Sequence, residues 1–166
     1  SLWQQPYILK GTALWKEASD KSLLATSKVP FSFCGQFEAA PIDFTKPEAA
    51  IWYKNRLIKP LLEAGVDLIK TDFGEGIQPA MQFAGGTGHA LHNVYPLLYN
   101  KAAFEVTQEV HGEDNAMVWG RSAYAGSQRY PVQWSGDNAS TFGAMQASLR
   151  GGLGYGLSGF TYWSQD

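Results

Sequence analysis

Strand-like and helix-like segments alternate along the chain, and this order restricts the fold more than any other feature. A helix is predicted over residues 44–65, because Pro47 lies in its first turn and Gly65 ends it. Thr45 and Glu48 have the spacing of a capping box at its start. A strand-like segment, VDLIKTDF, follows this helix without a linker.

The other segments follow the same order, except that a short link rather than a helix separates the strand-like segments at 115–123 and 129–137. Pro60 should kink the first helix or divide it in two. Further helices are predicted to begin near Asn93 and near Ser140, where apolar residues recur at helical spacing. Strands are predicted at residues 2–9, 66–73, 115–123, 129–137 and 159–166. Because strands separated by helices of this length pair in parallel, the sequence predicts an α/β fold with five parallel strands.

The composition argues against several classes of partner. With 166 residues the chain can bury a core, and its net charge of −2, without a basic cluster, does not favour nucleic acid. No apolar run approaches the roughly 18 residues that a membrane span needs. The first ten residues lack the order of a secretion signal. We therefore expect neither nucleic acid nor a membrane as a partner.

The sequence predicts no metal and no cofactor. Cys34 is the only cysteine, which leaves no cysteine-based metal site. His89 and His92 have the spacing of two ligands on one helix face, but no third ligand is near them in sequence. The motif GGLGYG at 151–156 follows a helix rather than a strand, which is the wrong order for a phosphate-binding loop.

Polar residues gather where the predicted strands end. In parallel α/β folds, and in (β/α)8 barrels above all, active sites form at the carboxyl ends of the strands. Because side chains alternate along a strand, Lys70 and Asp72 share a face, and Lys70 can favour the charged form of Asp72. The other candidates at strand ends are Arg121, Trp134, Asp137 and Asp166.

Asp72 and Asp137 are the candidate catalytic pair. Two carboxylates across the mouth of such a sheet suit glycoside cleavage, in which one attacks the anomeric carbon and the other protonates the leaving oxygen. Asp72 is predicted to be the nucleophile. Asp137, which Gly136 lets lean over the mouth, is predicted to be the acid/base, protonated in a dry aromatic surrounding. Charged residues at strand ends are also commonly solvated or salt-bridged, so spacing alone leaves that alternative open.

Three neighbours have expected supporting roles. Arg121 is expected to bind sugar hydroxyls, and Trp134 to offer a flat apolar face to a pyranose ring. Glu75 is expected to be structural, bonding the turn behind Asp72.

Six ordered motifs resemble glycoside hydrolase family 31. They are DFTKPEA (43–49), GVDLIKTDFGEG (65–76), GRSAYAGSQRYP (120–131), QWSGD (133–137), LRGGLGYGLSGF (149–160) and YWSQD (162–166). They span essentially the whole chain and are most similar to the α-xylosidase and α-glucosidase branch, in which a lysine stands two residues before the nucleophile. The resemblance implies a (β/α)8 TIM barrel, a retaining mechanism and an α-glycoside or oligosaccharide substrate.

The resemblance also implies a role for each candidate residue. Asp72 falls on the nucleophile of the family and Asp137 on its acid/base. Lys70 and Phe73 resemble a xylose-accepting pattern, in which a bulky side chain leaves little room for the C6 hydroxymethyl group of a sugar. The positions that match the sugar subsite are Lys70, Phe73, Arg121, Trp134 and Asp166.

The family pattern further implies that residues 1–166 are a partial catalytic domain. They correspond to about the third to seventh strands of the barrel, so the rest of the barrel and the flanking β-domains are expected partners. Five parallel strands leave two open edges and an uncovered apolar interior. We therefore expect these residues alone to be neither stable nor active.

Three other functions fit part of the pattern. A transglycosylase would use the same two carboxylates with a sugar as acceptor. An α-galactosidase of the same clan of barrels also has a lysine two residues before its nucleophile, although the WSGD motif argues against it. A non-catalytic carbohydrate-binding protein would be expected to lose one carboxylate, whereas Asp72 and Asp137 are both present.

Overall fold

The structure, a computed structural model, describes residues 2–165, with the side chains of residues 5–165. The strands are β1 (Leu2–Gln4), β2 (Tyr7–Leu9), β3 (Phe31–Phe33), β4 (Phe37–Pro41), β5 (Ile69–Thr71), β6 (Gln82–Phe83), β7 (Gly86–Thr87), β8 (Val118–Gly120), β9 (Gln133–Trp134) and β10 (Trp163–Ser164). The α-helices are α1 (Ala13–Asp20), α2 (Pro47–Tyr53), α3 (Lys59–Glu63), α4 (Gly88–Leu91), α5 (Tyr95–His111) and α6 (Phe142–Leu157).

Five of these strands form one parallel sheet in the order β1, β5, β8, β9 and β10. Leu2 pairs with Ile69, Ile69 with Val118, and Gly120 with Gln133. Spatial order therefore follows chain order, and the predicted α/β fold with five parallel strands is confirmed. Their assignment to the third to seventh strands of a barrel stays a prediction.

The helix before β5 is divided, as Pro60 predicts. A π-helical segment, Lys54–Ile58, joins α2 to α3 directly before this proline. The wider turn accommodates a residue that has no amide hydrogen and whose ring crowds the preceding turn. The capping-box prediction is wrong: Lys46 is the N-cap, and the hydroxyl of Thr45 donates instead to Asp43 Oδ1. That carboxylate is buried and also accepts from a backbone N–H in the loop before β7.

A small antiparallel layer between β1 and α2 was not predicted from the sequence. It contains α1 and a three-stranded sheet in the order β2, β4 and β3. The single strand predicted over residues 2–9 is wrong, because the chain leaves the parallel sheet at Pro6 and enters the antiparallel one. Proline cannot donate to a strand ladder, and Pro6 lies in the break between β1 and β2.

The core lies between the parallel sheet and the helices that pack on it. Three buried tyrosines surround Phe44, with ring centroids 5.1 Å away for Tyr53 and 5.6 Å away for both Tyr95 and Tyr99. α5 supplies two of these tyrosines and packs directly behind β5 and β8. Over residues 2–165, no helix combines the length and the apolar character needed to cross a membrane.

Candidate active site

Asp72 follows the last residue of β5, and its side chain is only 10% exposed. Its Oδ1 atom accepts a hydrogen bond of 2.8 Å from the backbone N–H of Phe73. Phe73 has a φ of 57° and Gly74 a φ of 101°, so the chain turns sharply through left-handed conformations as soon as it has passed the aspartate. The carboxylate is therefore held at the edge of the sheet by a turn that an L side chain rarely adopts.

Arg121 joins three carboxylates at the end of β8. Its Nη1 atom lies 3.3 Å from Asp72 Oδ1 and 3.1 Å from Asp137 Oδ2. Its Nε atom lies 3.0 Å from Glu75 Oε1, so Glu75 contacts the site as well as following the turn. Partial burial lowers the pKa of this guanidinium, but the charges of Glu75, Asp72 and Asp137 and the hydrogen bond to Asp72 outweigh burial and raise the pKa. Arg121 thus supplies positive charge to Asp72. The effect that the sequence predicts for Lys70 on Asp72 stays a prediction.

Asp137 lies in the loop after β9, and its side chain is 74% exposed. Gly136 has a φ of 76° and turns the chain there, as the sequence predicts. Asn138 Nδ2 donates to Gln165 Oε1 at 3.1 Å, which links the loop to the end of β10. The expected dry aromatic wall around Asp137 is not formed by residues 5–165, because three quarters of this side chain meets solvent there.

Lys70 lies between two tryptophan rings. Its Nζ atom is 4.0 Å from the ring centroid of Trp134 and 4.9 Å from that of Trp119, distances typical of cation–π contacts. Trp134 is buried, and the role of its ring as a sugar platform stays a prediction. Trp119 was missed in the sequence, although it lies two residues before Arg121 and therefore on the same face of β8.

Phe73 forms part of an aromatic wall beside Asp72. Its ring packs edge-on against Phe33, with centroids 4.8 Å apart and an interplanar angle of 78°. The guanidinium carbon of Arg121 lies 4.9 Å from the centroid of the Phe73 ring. Phe33 comes from the antiparallel layer, and no local sequence signal indicates its contact with the site.

The remaining candidates lie away from this cluster or outside the described residues. Asp166, predicted to line the sugar subsite, is among the residues that the structure does not describe. His92 Nδ1 is 2.7 Å from the carbonyl oxygen of Ile77, which gives this ring a structural contact. Over residues 2–165, no group of three or more His, Cys, Asp or Glu side chains is arranged to hold a metal ion.

The whole chain matches a single protein family. A model of the glycosyl hydrolases family 31 TIM-barrel domain matches residues 1–166. The chain belongs to glycoside hydrolase family 31. Its relatives include an α-xylosidase of Emericella nidulans, 38% identical over 172 residues, which covers 100% of this chain and 22% of the relative. The α-xylosidase XylQ of Lactiplantibacillus pentosus is 40% identical over 177 residues and covers 99% of this chain and 22% of the relative.

Solved structures of the same family have this fold. A family 31 sulfoquinovosidase from E. rectale superimposes with a TM-score of 0.90 at 27% identity and covers 99% of this chain and 26% of the other. A family 31 α-xylosidase from a soil metagenome, complexed with xylose, has a TM-score of 0.88 at 26% identity, with the same coverage. The chain spans about a fifth of the length of the α-xylosidases of Emericella nidulans and Lactiplantibacillus pentosus.

Proposed function

We propose that the chain supplies the nucleophile and the acid/base of a retaining α-glycosidase that acts on non-reducing terminal α-linked xylose or glucose. The observation that carries this proposal is the contact of both carboxylates with Arg121. Two oxygens that lie 3.3 Å and 3.1 Å from one nitrogen are no more than about 6.4 Å apart, a limit that is compatible with the roughly 5–5.5 Å between the carboxyl groups of retaining glycosidases.

The proposed reaction has two displacements. In the first, Asp72 attacks the anomeric carbon and forms a covalent glycosyl–enzyme bond, while Asp137 gives its proton to the departing glycosidic oxygen. In the second, Asp137 takes a proton from water, which attacks the same carbon and releases Asp72. Asp72 is suited to the first role because its carboxylate is largely buried and fixed by the N–H of Phe73.

Xylose is the favoured sugar. Two relatives that match essentially the whole chain are named as α-xylosidases, and a structural neighbour was solved with xylose. Phe73, between Phe33 and Arg121, is a bulky and restrained side chain at a position that matches the sugar subsite. We expect the intact enzyme to have a higher kcat/KM for nitrophenyl α-xyloside than for nitrophenyl α-glucoside, measured side by side.

Covalent labelling of the intact enzyme tests the proposal. A fluorinated xylosyl fluoride should add one sugar to the peptide that contains Asp72, detected by mass spectrometry. Asp72→Ala should abolish the label, and Asp137→Ala should keep it, because fluoride leaves without protonation. Asp114→Ala, at an exposed aspartate of the loop after α5, is the control and should label like the wild type. Labelling that persists in Asp72→Ala would refute the assignment.

Transglycosylation is the second candidate, because an isomaltosyltransferase of Sporosarcina globispora is 35% identical over 127 residues, covering 75% of this chain and 11% of the relative. The same two carboxylates serve both reactions. Product analysis with excess acceptor sugar separates them: hydrolysis releases free xylose or glucose, whereas a transglycosylase yields an elongated oligosaccharide as its main product.

A further inference from the structure

Asn100 is a buried polar residue in the middle of α5, and its side chain contacts the two strands that carry the site. It is 0% exposed. Its Oδ1 atom accepts a hydrogen bond of 2.6 Å from Thr71 Oγ1, at the end of β5. Its Nδ2 group donates at 2.8 Å to the backbone carbonyl of Ser122, just beyond β8. A buried amide is unfavourable unless it is hydrogen-bonded, and here both ends of the amide have partners.

These contacts form part of a ring of hydrogen bonds that is closed by the backbone of Asp72. The hydroxyl of Ser122 donates at 2.6 Å to the carbonyl of Phe73. Thr71 and Phe73 are the two neighbours of Asp72 in the chain. We call the set Thr71, Phe73, Asn100 and Ser122 the Asn100 network.

The same network fixes Arg121 relative to Asp72. Ser122 is the next residue after Arg121, and the backbone N–H of Arg121 donates at 3.0 Å to the carbonyl of Thr71. Asp72 follows Thr71 in the chain, and Arg121 precedes Ser122. Because the Asn100 amide is hydrogen-bonded to both Thr71 and Ser122, it connects the two backbone segments that carry the charged residues. Arg121 Nη1 and Asp72 Oδ1 lie 3.3 Å apart across these two segments.

Glycines leave the space that the network occupies. A Cβ atom at Gly120 would lie 3.0 Å from Asn100 Oδ1, and one at Gly74 would lie 2.5 Å from Ser122 Oγ. Any larger residue at either position would displace the amide or the hydroxyl. The network also holds Phe73, whose φ of 57° is unfavourable for a residue with a side chain.

We infer that Asn100 is a positioning residue, which acts through Thr71 and Ser122 to place the Asp72 carboxylate for attack on the anomeric carbon. This inference rests on the proposed glycosidase function. Neither Asn100 nor its partners Thr71 and Ser122 are among the residues proposed to contact the sugar, so loss of the Asn100 amide should slow bond formation and leave sugar binding nearly unchanged. A displacement of about 1 Å in a reacting group can cost about 100-fold in rate.

The test is the inactivation of the intact enzyme by a fluorinated xylosyl fluoride, resolved into the rate constant of labelling and the inactivator concentration at half-saturation. Asn100→Ala should lower the rate constant about 30- to 100-fold and change the half-saturating concentration less than about threefold. Val106→Ala, at an equally buried residue of α5, is the control for destabilisation. It should lower the unfolding temperature and leave both labelling constants within about twofold of wild type.

A matched pair on β5 decides the question if Asn100→Ala does not fold. Thr71→Val keeps the shape and removes the hydroxyl, whereas Thr71→Ser keeps the hydroxyl. Thr71→Val should lower the labelling rate constant about tenfold, and Thr71→Ser should recover most of that loss.

The outcomes separate this inference from the proposed function. If the wild type labels on Asp72 while Asn100→Ala or Thr71→Val label at the rate of Val106→Ala, the inference is wrong and the glycosidase function stands. The inference is also wrong if the variants raise only the half-saturating concentration. If the wild type does not label, or if Asp72→Ala still does, the proposed function fails and the inference fails with it.

Discussion

Asp72 and Asp137 follow two strands of the same sheet and contact the same arginine, yet their surroundings differ. The side chain of Asp72 is 10% exposed and that of Asp137 is 74% exposed. Asp72 is held by a backbone N–H and by a turn that the Asn100 network ties to α5. Asp137 stands on a loop whose polar contacts lie at the exposed ends of β9 and β10.

The helices behind the two carboxylates differ in the same way. α5 has eight buried residues among its 17, which is why it can fix the ends of β5 and β8. α6 follows the Asp137 loop, and as described it has no buried residue. It instead exposes a row of apolar side chains, formed by Phe142, Met145, Leu149, Leu153 and Leu157.

The difference indicates how a pair of carboxylates can divide a reaction. Under the proposed mechanism Asp72 must form a bond to carbon, which requires a fixed distance and direction. Asp137 moves only a proton, in opposite directions in the two steps, and needs contact with solvent in the second. The packing is concentrated behind the residue with the stricter geometric requirement.

The largest expected effect comes from removing the residue that the two carboxylates share. Arg121→Leu should lower kcat/KM of the intact enzyme about 100-fold or more, because the guanidinium is a preorganised charge between both groups. Arg129→Leu is the control, since this exposed arginine contacts a backbone carbonyl and a tyrosine ring outside the site. An equal loss in both variants would show that Arg121 does not link the carboxylates functionally.

The contrast between α5 and α6 can be measured by hydrogen exchange on the intact enzyme. Amides of α5 should exchange at least about tenfold more slowly than those of α6, a difference of about 1.4 kcal/mol in opening free energy. The reason is burial, since eight residues of α5 are buried within the described part of the chain and none of α6 is. Equal protection of both helices would contradict the comparison and would indicate that other parts of the enzyme cover the apolar row of α6.

Much of this site is predictable from local sequence signals. The spacing of apolar residues and the glycine and proline positions locate the parallel strands. Once the strands are parallel, their carboxyl ends meet at one edge, so Asp72, Arg121 and Asp137 are brought together without knowledge of any tertiary contact.

The contacts that hold Asp72 and its neighbours in place are not predictable from local sequence signals. The contact between Phe33 and Phe73 joins the antiparallel layer to the site across 40 positions of the chain, and neither segment encodes its partner. In the sequence, Asn100 looks like an ordinary polar residue that a helix tolerates. Its proposed role depends on which strand ends its amide reaches, and the sequence of α5 does not specify those. Trp119 is equally hard to predict, because the cation that its ring contacts, Lys70, lies on the neighbouring strand β5.

A smaller effect is expected from Glu75, the third carboxylate on Arg121. Glu75→Gln removes its charge and keeps its shape, which weakens the hold on the guanidinium at Nε. We expect kcat/KM to fall about tenfold, less than for Arg121→Leu, because two carboxylates remain in contact. Glu38→Gln is a matched control, since its side chain is 43% exposed against 45% for Glu75, and it pairs with Lys10 on the surface. A loss of less than twofold for Glu75→Gln would restrict its role to the turn, as the sequence predicted.

The smallest effect concerns Tyr7, whose hydroxyl oxygen accepts a 2.9 Å hydrogen bond from the N–H of Gly76, next to Glu75. Burial raises the pKa of Tyr7 to about 12, partly offset by backbone N–H groups. The folded protein therefore keeps this proton more tightly than the unfolded chain, whose tyrosine titrates near pH 10. The resulting stability is present below pH 10 and is lost as the pH rises through 12, at up to about 1.4 kcal/mol per pH unit.

Tyr7→Phe should remove this component of the alkaline decline and cost about 1 kcal/mol at pH 7, where only the hydrogen bond is lost. The measurement is the unfolding free energy of the intact enzyme at pH 7, 9, 10 and 11, with Tyr162→Phe, at an exposed tyrosine, as the control. If Tyr7→Phe declines as steeply as wild type above pH 10, the phenol is not held in its protonated form by the fold. If the unfolding free energy of wild type declines more steeply than that of Tyr7→Phe above pH 10, Tyr7 belongs with Asp72 to the tightly packed side of the site. This would hold although β2, which contains Tyr7, is part of the antiparallel layer.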